Sequence, residues 1–239
     1  MALTLIISKE GDFTEEYLPA HVFHLFGYNL ELPVSIAIEW AVILVATILA
    51  IYLTHNLKKV PDKKQSAVEA VVEIVNNLVK ENMGEEYKSF VPFVGTLIIY
   101  LLFMNLSGLF GFDAPTKNYG VALGMAIISF IVIQGYAIKK SGILHYLSGY
   151  GKPFGFLAPL NVLERVILPV SLSLRLFGNM TASVVIVGLM YKFLRSLNWF
   201  AQIGIPIPLH MYFDIFDGAL QMGIFTMLTM IHIKIIAEE

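Results

Sequence analysis

Residues 159–190 read PLNVLERVILPVSLSLRLFGNMTASVVIVGLM, and between Arg165 and Lys192 the only ionisable side chain is Arg175. At about 1.5 Å of rise per residue, a helix through this stretch places Arg175 roughly 15 Å from one flanking charge and roughly 25 Å from the other. That is close to mid-membrane depth. A guanidinium there costs on the order of 2.5–3.5 kcal/mol on insertion scales, and it cannot escape the cost by losing its proton. Two readings of the residue stand side by side. One is a structural cation that snorkels to the headgroups or ties helices together through carbonyls; the other is a functional charge. The helical period puts Ser171, Leu172, Arg175, Gly178, Asn179 and Ala182 on one face, a stripe of small and polar groups that admits water or a close partner. Leu174, Leu176, Phe177, Met180 and Val184 fill the other sides, as lipid or neighbouring helices require.

Working outward, 57% of the 239 residues are hydrophobic, 14% are charged, and the mean hydropathy is +0.73. Several uncharged runs reach spanning length, and none shows the short alternation of an outer-membrane barrel. The fold class is therefore all-α, a polytopic membrane protein with about five transmembrane helices. The net charge of −2 and the lack of a basic cluster interleaved with aromatics give no reason to expect a nucleic-acid partner. With no cysteine, disulfides and thiolate metal sites are excluded, and no cofactor or metal is expected.

The chain is one membrane domain over 1–239, beginning with an outer segment at 1–32. Its first apolar run is too short for a leader core and is followed by acidic residues. Within residues 15–27, His21 and His24 stand beside Val22, Phe23, Leu25 and Phe26, which suits a short amphipathic segment at the membrane surface. Two histidines without a third ligand make a poor metal site. Span 1, residues 33–56, carries Glu39 near its outer end and stops before Lys58, Lys59, Lys63 and Lys64, a cytoplasmic signature. Residues 66–88 place Val68, Val71, Val72, Val75, Leu78 and Val79 on one stripe, an interfacial helix on the cytoplasmic side. Span 2 covers 89–111 and span 3 covers 119–138, the latter ending at Lys139 and Lys140. Residues 141–159, rich in glycine and proline, read as a cytoplasmic loop.

The arginine-bearing helix, 159–191, and a final helix, 209–236, form a hairpin. On the final helix Asp214, Asp217, Gly218, Gln221, Phe225 and Leu228 share a face, so two carboxylates and an amide line one side of an apolar helix. Gln221 is deep enough to need a partner. Lys192 and Arg195 on the outer side run against the charge bias, but earlier helices usually fix orientation. No HExxH or GxSxG motif appears, so no catalytic site is expected.

SLSLRLFGNM at 171–180 with LQMGIFTMLTMI at 220–231 resembles subunit a of the F-type ATP synthase, the stator subunit of its membrane sector. The likeness covers most of the chain in span order. It implies a long tilted C-terminal hairpin against a c-subunit ring, with Arg175 facing the ring's carboxylates between two aqueous half-channels. It further implies that Gln221 and Asn179 stand beside the arginine. Asn105, Asp113 and Asp214 would line the outer half-channel, with Asp217 in reserve, and Glu164 would stand near the cytoplasmic one. Peripheral-stalk b subunits and the other synthase subunits are the implied partners, in a bacterial inner membrane. Many relatives carry a glutamate where this chain has Val184, and a histidine or glutamate where it has Asp214.

The mechanism also follows from physics. A fixed cation between two dead-end water channels blocks direct leakage of a proton or sodium ion. A mobile carboxylate passes it ionised and must be neutralised to face lipid. The rival is a self-contained secondary transporter using Arg175 as an anion site. Such folds usually show two repeated halves, and no internal repeat is visible here. The topology gives a first prediction: cysteines introduced at Asp12 and Lys63 label from opposite faces of the membrane, with Glu238 on the face of Lys63. Labelling of Asp12 and Lys63 from the same face would sink it.

Overall fold

The computed structural model describes residues 21–25, 28–32, 34–55, 57–110, 114–143, 146, 156, 158–197 and 204–238. Apolar surroundings leave no water to satisfy backbone groups, so charge-free runs close their hydrogen bonds internally as helices. The helices are α1 (Val34–Thr54), α2 (Lys63–Asn82), α3 (Val91–Leu106), α4 (Tyr119–Ser141) and α5 (Ala158–Leu197), followed by a last helical run, α6 (Pro206–Glu238). Among the described residues five runs are long and apolar enough to cross a membrane: Ile36–Thr54, Glu85–Leu109, Tyr119–Ser141, Pro159–Ser196 and Pro206–Glu238. The protein is a polytopic helical membrane protein.

Several boundaries differ from the sequence reading, each for a physical reason. The arginine helix runs past Lys192 and Arg195 to Leu197, two turns further than 191. Charges mark the end of an apolar stretch, but neither residue breaks a helix. The final run starts at Pro206, where proline suits a first turn. It is π-helical over Met211–Asp217 before resuming as α-helix at Gly218. The segment at 66–88 is two elements. α2 ends at Asn82, Gly84 turns the chain at φ 111, and a 3-10 helix follows over Glu85–Phe90. Its apolar stripe is docked only at the C-terminal end: Val75 and Val79 are buried, while Val71 and Val72 remain exposed.

The amphipathic segment expected near His21 and His24 is instead an antiparallel hairpin. β1 (His21–Leu25) pairs with β2 (Tyr28–Leu32), His21 opposite Leu32 and Leu25 opposite Tyr28. Two histidines three residues apart follow the helical period, so His21–Leu25 does not signal a strand by itself. This hairpin is the one departure from an all-helical chain among the described residues.

α4 sits centrally and packs on both α5 and α6, while α6 also packs on α3. The core joins Leu101 of α3, Ala122, Ala126 and Ile133 of α4, Leu172 and Leu176 of α5, and Phe225, Met230 and Ile233 of α6. The small side chains of α4 bring neighbouring backbones close, as tight packing of apolar helices needs. Asn118 caps α4 by accepting from the Gly120 N–H at 2.9 Å, and Lys139 and Lys140 occupy its last turn. Lys140 Nζ donates to the Tyr87 hydroxyl at 3.1 Å, tying that end to the 3-10 corner beside α2. α1 lies outside this core, and its Glu39 carboxylate accepts from the Tyr100 hydroxyl of α3 at 3.1 Å.

Candidate functional site

The arginine of α5 sits on a border. Leu168, Leu172, Ser173, Leu176 and Ser183 are buried against neighbouring helices, whereas Ser171, Gly178, Asn179 and Ala182 are exposed. Arg175 lies between the two faces and is half-buried. Among the described residues no hydrogen bond or ion pair is made by its guanidinium. A cation without a protein partner in an apolar span depends on water or on a group brought from outside.

One turn further along α5, Asn179 Nδ2 donates to Gln221 Oε1 of α6 at 2.7 Å. Gln221 is only 4% exposed, so this contact, and no contact to Arg175, occupies its carbonyl. The two helices are antiparallel here, and the amide pair sets their register: Gln221 is level with Asn179 and about one turn, roughly 6 Å, from Arg175. Gln221 Nε2 is buried without a partner. Turning both amides over would exchange their roles and leave an acceptor at that position in place of a donor.

Towards the Pro206 end of α6 the site is built on the π-turn. Asp214 sits in the π-helical segment, and such segments are frequent at functional sites because the wider turn re-aims side chains. Its Oδ2 lies 3.2 Å from His210 Nδ1, and the Tyr191 hydroxyl of α5 lies 3.3 Å from His210 Nε2. Its Oδ1 is packed against Gly108, 3.1 Å from where a Cβ on that glycine would stand. Asn105, 1% exposed, donates from Nδ2 to the Gly218 carbonyl at 2.8 Å. A Cβ on Gly218 would lie 3.0 Å from the Asn105 Cβ, so the close approach of α3 and α6 depends on that glycine. Asp217 is half-buried and makes no hydrogen bond or ion pair among the described residues. Asp113 falls outside the described residues.

At the other end of α5, Glu164 is exposed. Next to it Arg165 donates to Gln134 Oε1 of α4 at 3.3 Å and lies 5.0 Å over the Tyr146 ring. Tyr146 donates to the same Gln134 oxygen at 2.5 Å. Six buried side-chain atoms lack a protein partner among the described residues: Asn105 Oδ1, Thr116 Oγ1, Ser129 Oγ, Gln134 Nε2, Gln221 Nε2 and Thr226 Oγ1. Each unpaired buried polar group costs about 1–3 kcal/mol, so polar atoms at these places call for water.

The structure thus joins Asn179 to Gln221 and Asn105 to the Gly218 turn, and it sets Asp214 apart from Asp217. The sequence reading missed His210, Tyr191 and Gly108, and it placed Gly218 on the polar face without its close approach to Asn105. His210 precedes Asp214 by four residues, an i, i+4 signal available in the sequence. Tyr191 and Gly108 join the cluster only through tertiary register.

Compared with known proteins, residues 36–234 match the family described as ATP synthase A chain. The chain is 30% identical to the sodium ion specific ATP synthase subunit a of Propionigenium modestum, covering 94% of this chain and 84% of that one. It is 32% identical to ATP synthase subunit a of Trichlorobacter lovleyi, covering 94% and 96%. With the same subunit of Geobacter sulfurreducens the identity is 34%, covering 86% and 88%.

The two glycine contacts give separable expectations. Gly218→Ala presses a methyl on the Asn105 Cβ, which cannot swing away, and should destabilise the protein by about 1–3 kcal/mol. Gly108→Ala meets only the end of the Asp214 side chain, so it should leave the thermal midpoint nearly unchanged while displacing that carboxylate. Thermal unfolding of the purified complex checks both. Equal midpoints for Gly218→Ala and the wild type would remove the close-approach argument.

Proposed function

The chain belongs to the ATP synthase A chain family, and from that premise we propose that it is the stator subunit of a rotary ATP synthase. In this reading it forms two aqueous half-channels and, through Arg175, couples proton or sodium translocation to rotation of a c-subunit ring. It has no catalytic site of its own. Its partners are the ring, the peripheral-stalk b subunits, the remaining synthase subunits and the lipid of a bacterial membrane. The N-terminus lies outside and the C-terminus on the cytoplasmic side.

The observation that carries the proposal is Arg175 itself. It is a half-buried guanidinium in the middle of a 40-residue helix, without a protein partner among the described residues and one turn from a cross-helix amide pair. A structural arginine would be expected to hold carbonyls or a carboxylate. Arg175 instead borders the exposed face of α5, where a carboxylate carried by a rotor can reach it. Attraction keeps that carboxylate ionised as it passes, and on either side it must take up an ion before it meets lipid. Ions therefore cross only by riding the rotor. The membrane potential, about 2.3 kcal/mol per charge per 100 mV, biases the direction.

The half-channels are assigned from the polar clusters at the two ends. Asn105, Asp113, Asp214 and Asp217 serve the outer one, and Glu164 serves the cytoplasmic one beside Gln134 and Arg165. Asn179 and Gln221 aim and hydrate the arginine between them. The unpartnered buried atoms of Asn105, Gln134 and Gln221 support water at both ends.

Reconstituted whole complexes test this reading. Arg175→Ala should assemble, lose ATP synthesis and let ions leak passively. Arg175→Lys should fail as well, because a compact ammonium on a flexible stem does not reproduce the planar fork. Gln221→Leu should be milder, since the charge stays in place. Synthesis at the wild-type rate by the Arg175→Ala complex would end the proposal. Asp214→Asn should slow ion transport with the complex intact; unaltered ion-driven synthesis in that variant would shift the role to Asp217.

A further inference from the structure

Asp214 does not face the outer end of the molecule unaided. The His210 imidazole stands between it and Tyr191, touching Asp214 Oδ2 at 3.2 Å through Nδ1 and the Tyr191 hydroxyl at 3.3 Å through Nε2. Exposure falls along this line, from 42% for the His210 side chain to 18% for that of Asp214. Both ring nitrogens are therefore in use, one on the Tyr191 hydroxyl and one on the carboxylate. We infer that His210 is a proton relay at the outer mouth, handing protons to Asp214, with Tyr191 as the residue that positions its ring. The inference rests on the proposed function and assigns the coupling ion at this end as a proton.

The step balances. With the resting proton on Nδ1, the ring donates to Asp214 and accepts from the Tyr191 hydroxyl. A proton arriving at Nε2 from water makes an imidazolium, and the Nδ1 proton then leaves to Asp214 Oδ2. The products are a neutral carboxyl and a neutral imidazole carrying its proton on Nε2. Once Asp214 passes its proton inward, the ring turns about Cβ–Cγ to bring Nδ1 to water, Nδ1 gains a proton while Nε2 releases one, and turning back restores the first tautomer. A sodium ion has no such route, because imidazole nitrogen is a poor ligand for a hard cation.

The surrounding charges are few. From α5 the titratable group against the ring is Tyr191, with Lys192 and Arg195 on the same end of that helix. From the α3 arm the facing residues are Asn105 and Gly108, neither of which titrates. Along α6 itself the other carboxylate is Asp217.

The test uses the whole synthase in proteoliposomes, with the outer pH varied under a fixed membrane potential and sodium either absent or supplied as a gradient. His210→Gln keeps a polar side chain of similar reach but cannot relay. It should lower proton-driven synthesis by about tenfold or more and flatten the dependence on outer pH. In His210→Ala, imidazole added at the outer face should restore part of the rate, which a packing role would not allow. Tyr191→Phe should keep the pH dependence at a reduced rate. Wild-type rate and pH profile in His210→Gln would overturn the relay. So would a His210→Ala complex that imidazole leaves unrestored, or a wild-type complex driven by sodium with no response to outer pH. None of these results touches the Arg175 proposal, which its own substitutions decide.

Discussion

A guanidinium that cannot lose its proton, placed in the middle of an apolar helix, is the constraint to which the other features answer. It forbids burial against purely apolar neighbours, so α5 carries Ser171, Gly178 and Asn179 on its exposed side and keeps Leu172 and Leu176 for the core. It also fixes what the opposing helix can present. α6 turns Gly218, Gln221 and Phe225 inward, a small residue, an amide and a ring, with a hydrogen bond to Asn179 instead of an ion pair to Arg175. Neutral amides order the neighbourhood of a charge without cancelling it.

The frame that holds this arrangement is made by close backbone approach as much as by bulk. α3 and α6 meet where Gly218 faces Asn105 and Gly108 faces Asp214. With no side chain at either glycine, a buried amide can reach a helix carbonyl and a carboxylate can lie against backbone. The π-turn over Met211–Asp217 adds one residue to the local turn and changes which side chains point the same way. Asp214 and Asp217 then part company. One is held by His210 beside Gly108, and the other stands at the border of the site.

How much of this the sequence discloses depends on the dimension of each feature. Charge-free length is one-dimensional, so the five spans and the isolation of Arg175 are read directly. Helical periodicity adds one face at a time, which picks out Asn179 on one helix and Gln221 on the other. Their pairing needs the antiparallel register of the hairpin, and that register also brings Tyr191 to His210. The i, i+4 rule places Asp217 and Gln221 together on a regular helix, and a π-turn just before Gly218 is outside its reach. The paired strands at His21–Leu25 and Tyr28–Leu32 read as a surface segment, because two histidines three residues apart follow the helical period and not the strand's. The surface helix reads as a full apolar stripe, and of the stripe Val75, Leu78 and Val79 meet the core while Val71 and Val72 stay exposed.

The spacing of carboxylates along the hairpin bears on why the arginine stays available. With Gln221 level with Asn179, Asp217 lies about 12 Å from Arg175 along the axis, and Glu164, eleven residues earlier on the same helix, about 16 Å. At an effective dielectric near 20, a unit pair at those separations interacts by about 1 kcal/mol, against about 4 kcal/mol at 4 Å. The resident acids therefore shape the potential at each end of the site without engaging the guanidinium. A carboxylate one turn away would form a lasting pair, and an incoming partner would first have to break it in an apolar medium, where leaving one charge unpaired costs about 3–5 kcal/mol. On the proposed function that would stall the rotor at every step. Amides beside the arginine and acids kept two turns or more away are what a charge must have around it if it is to be met and released repeatedly.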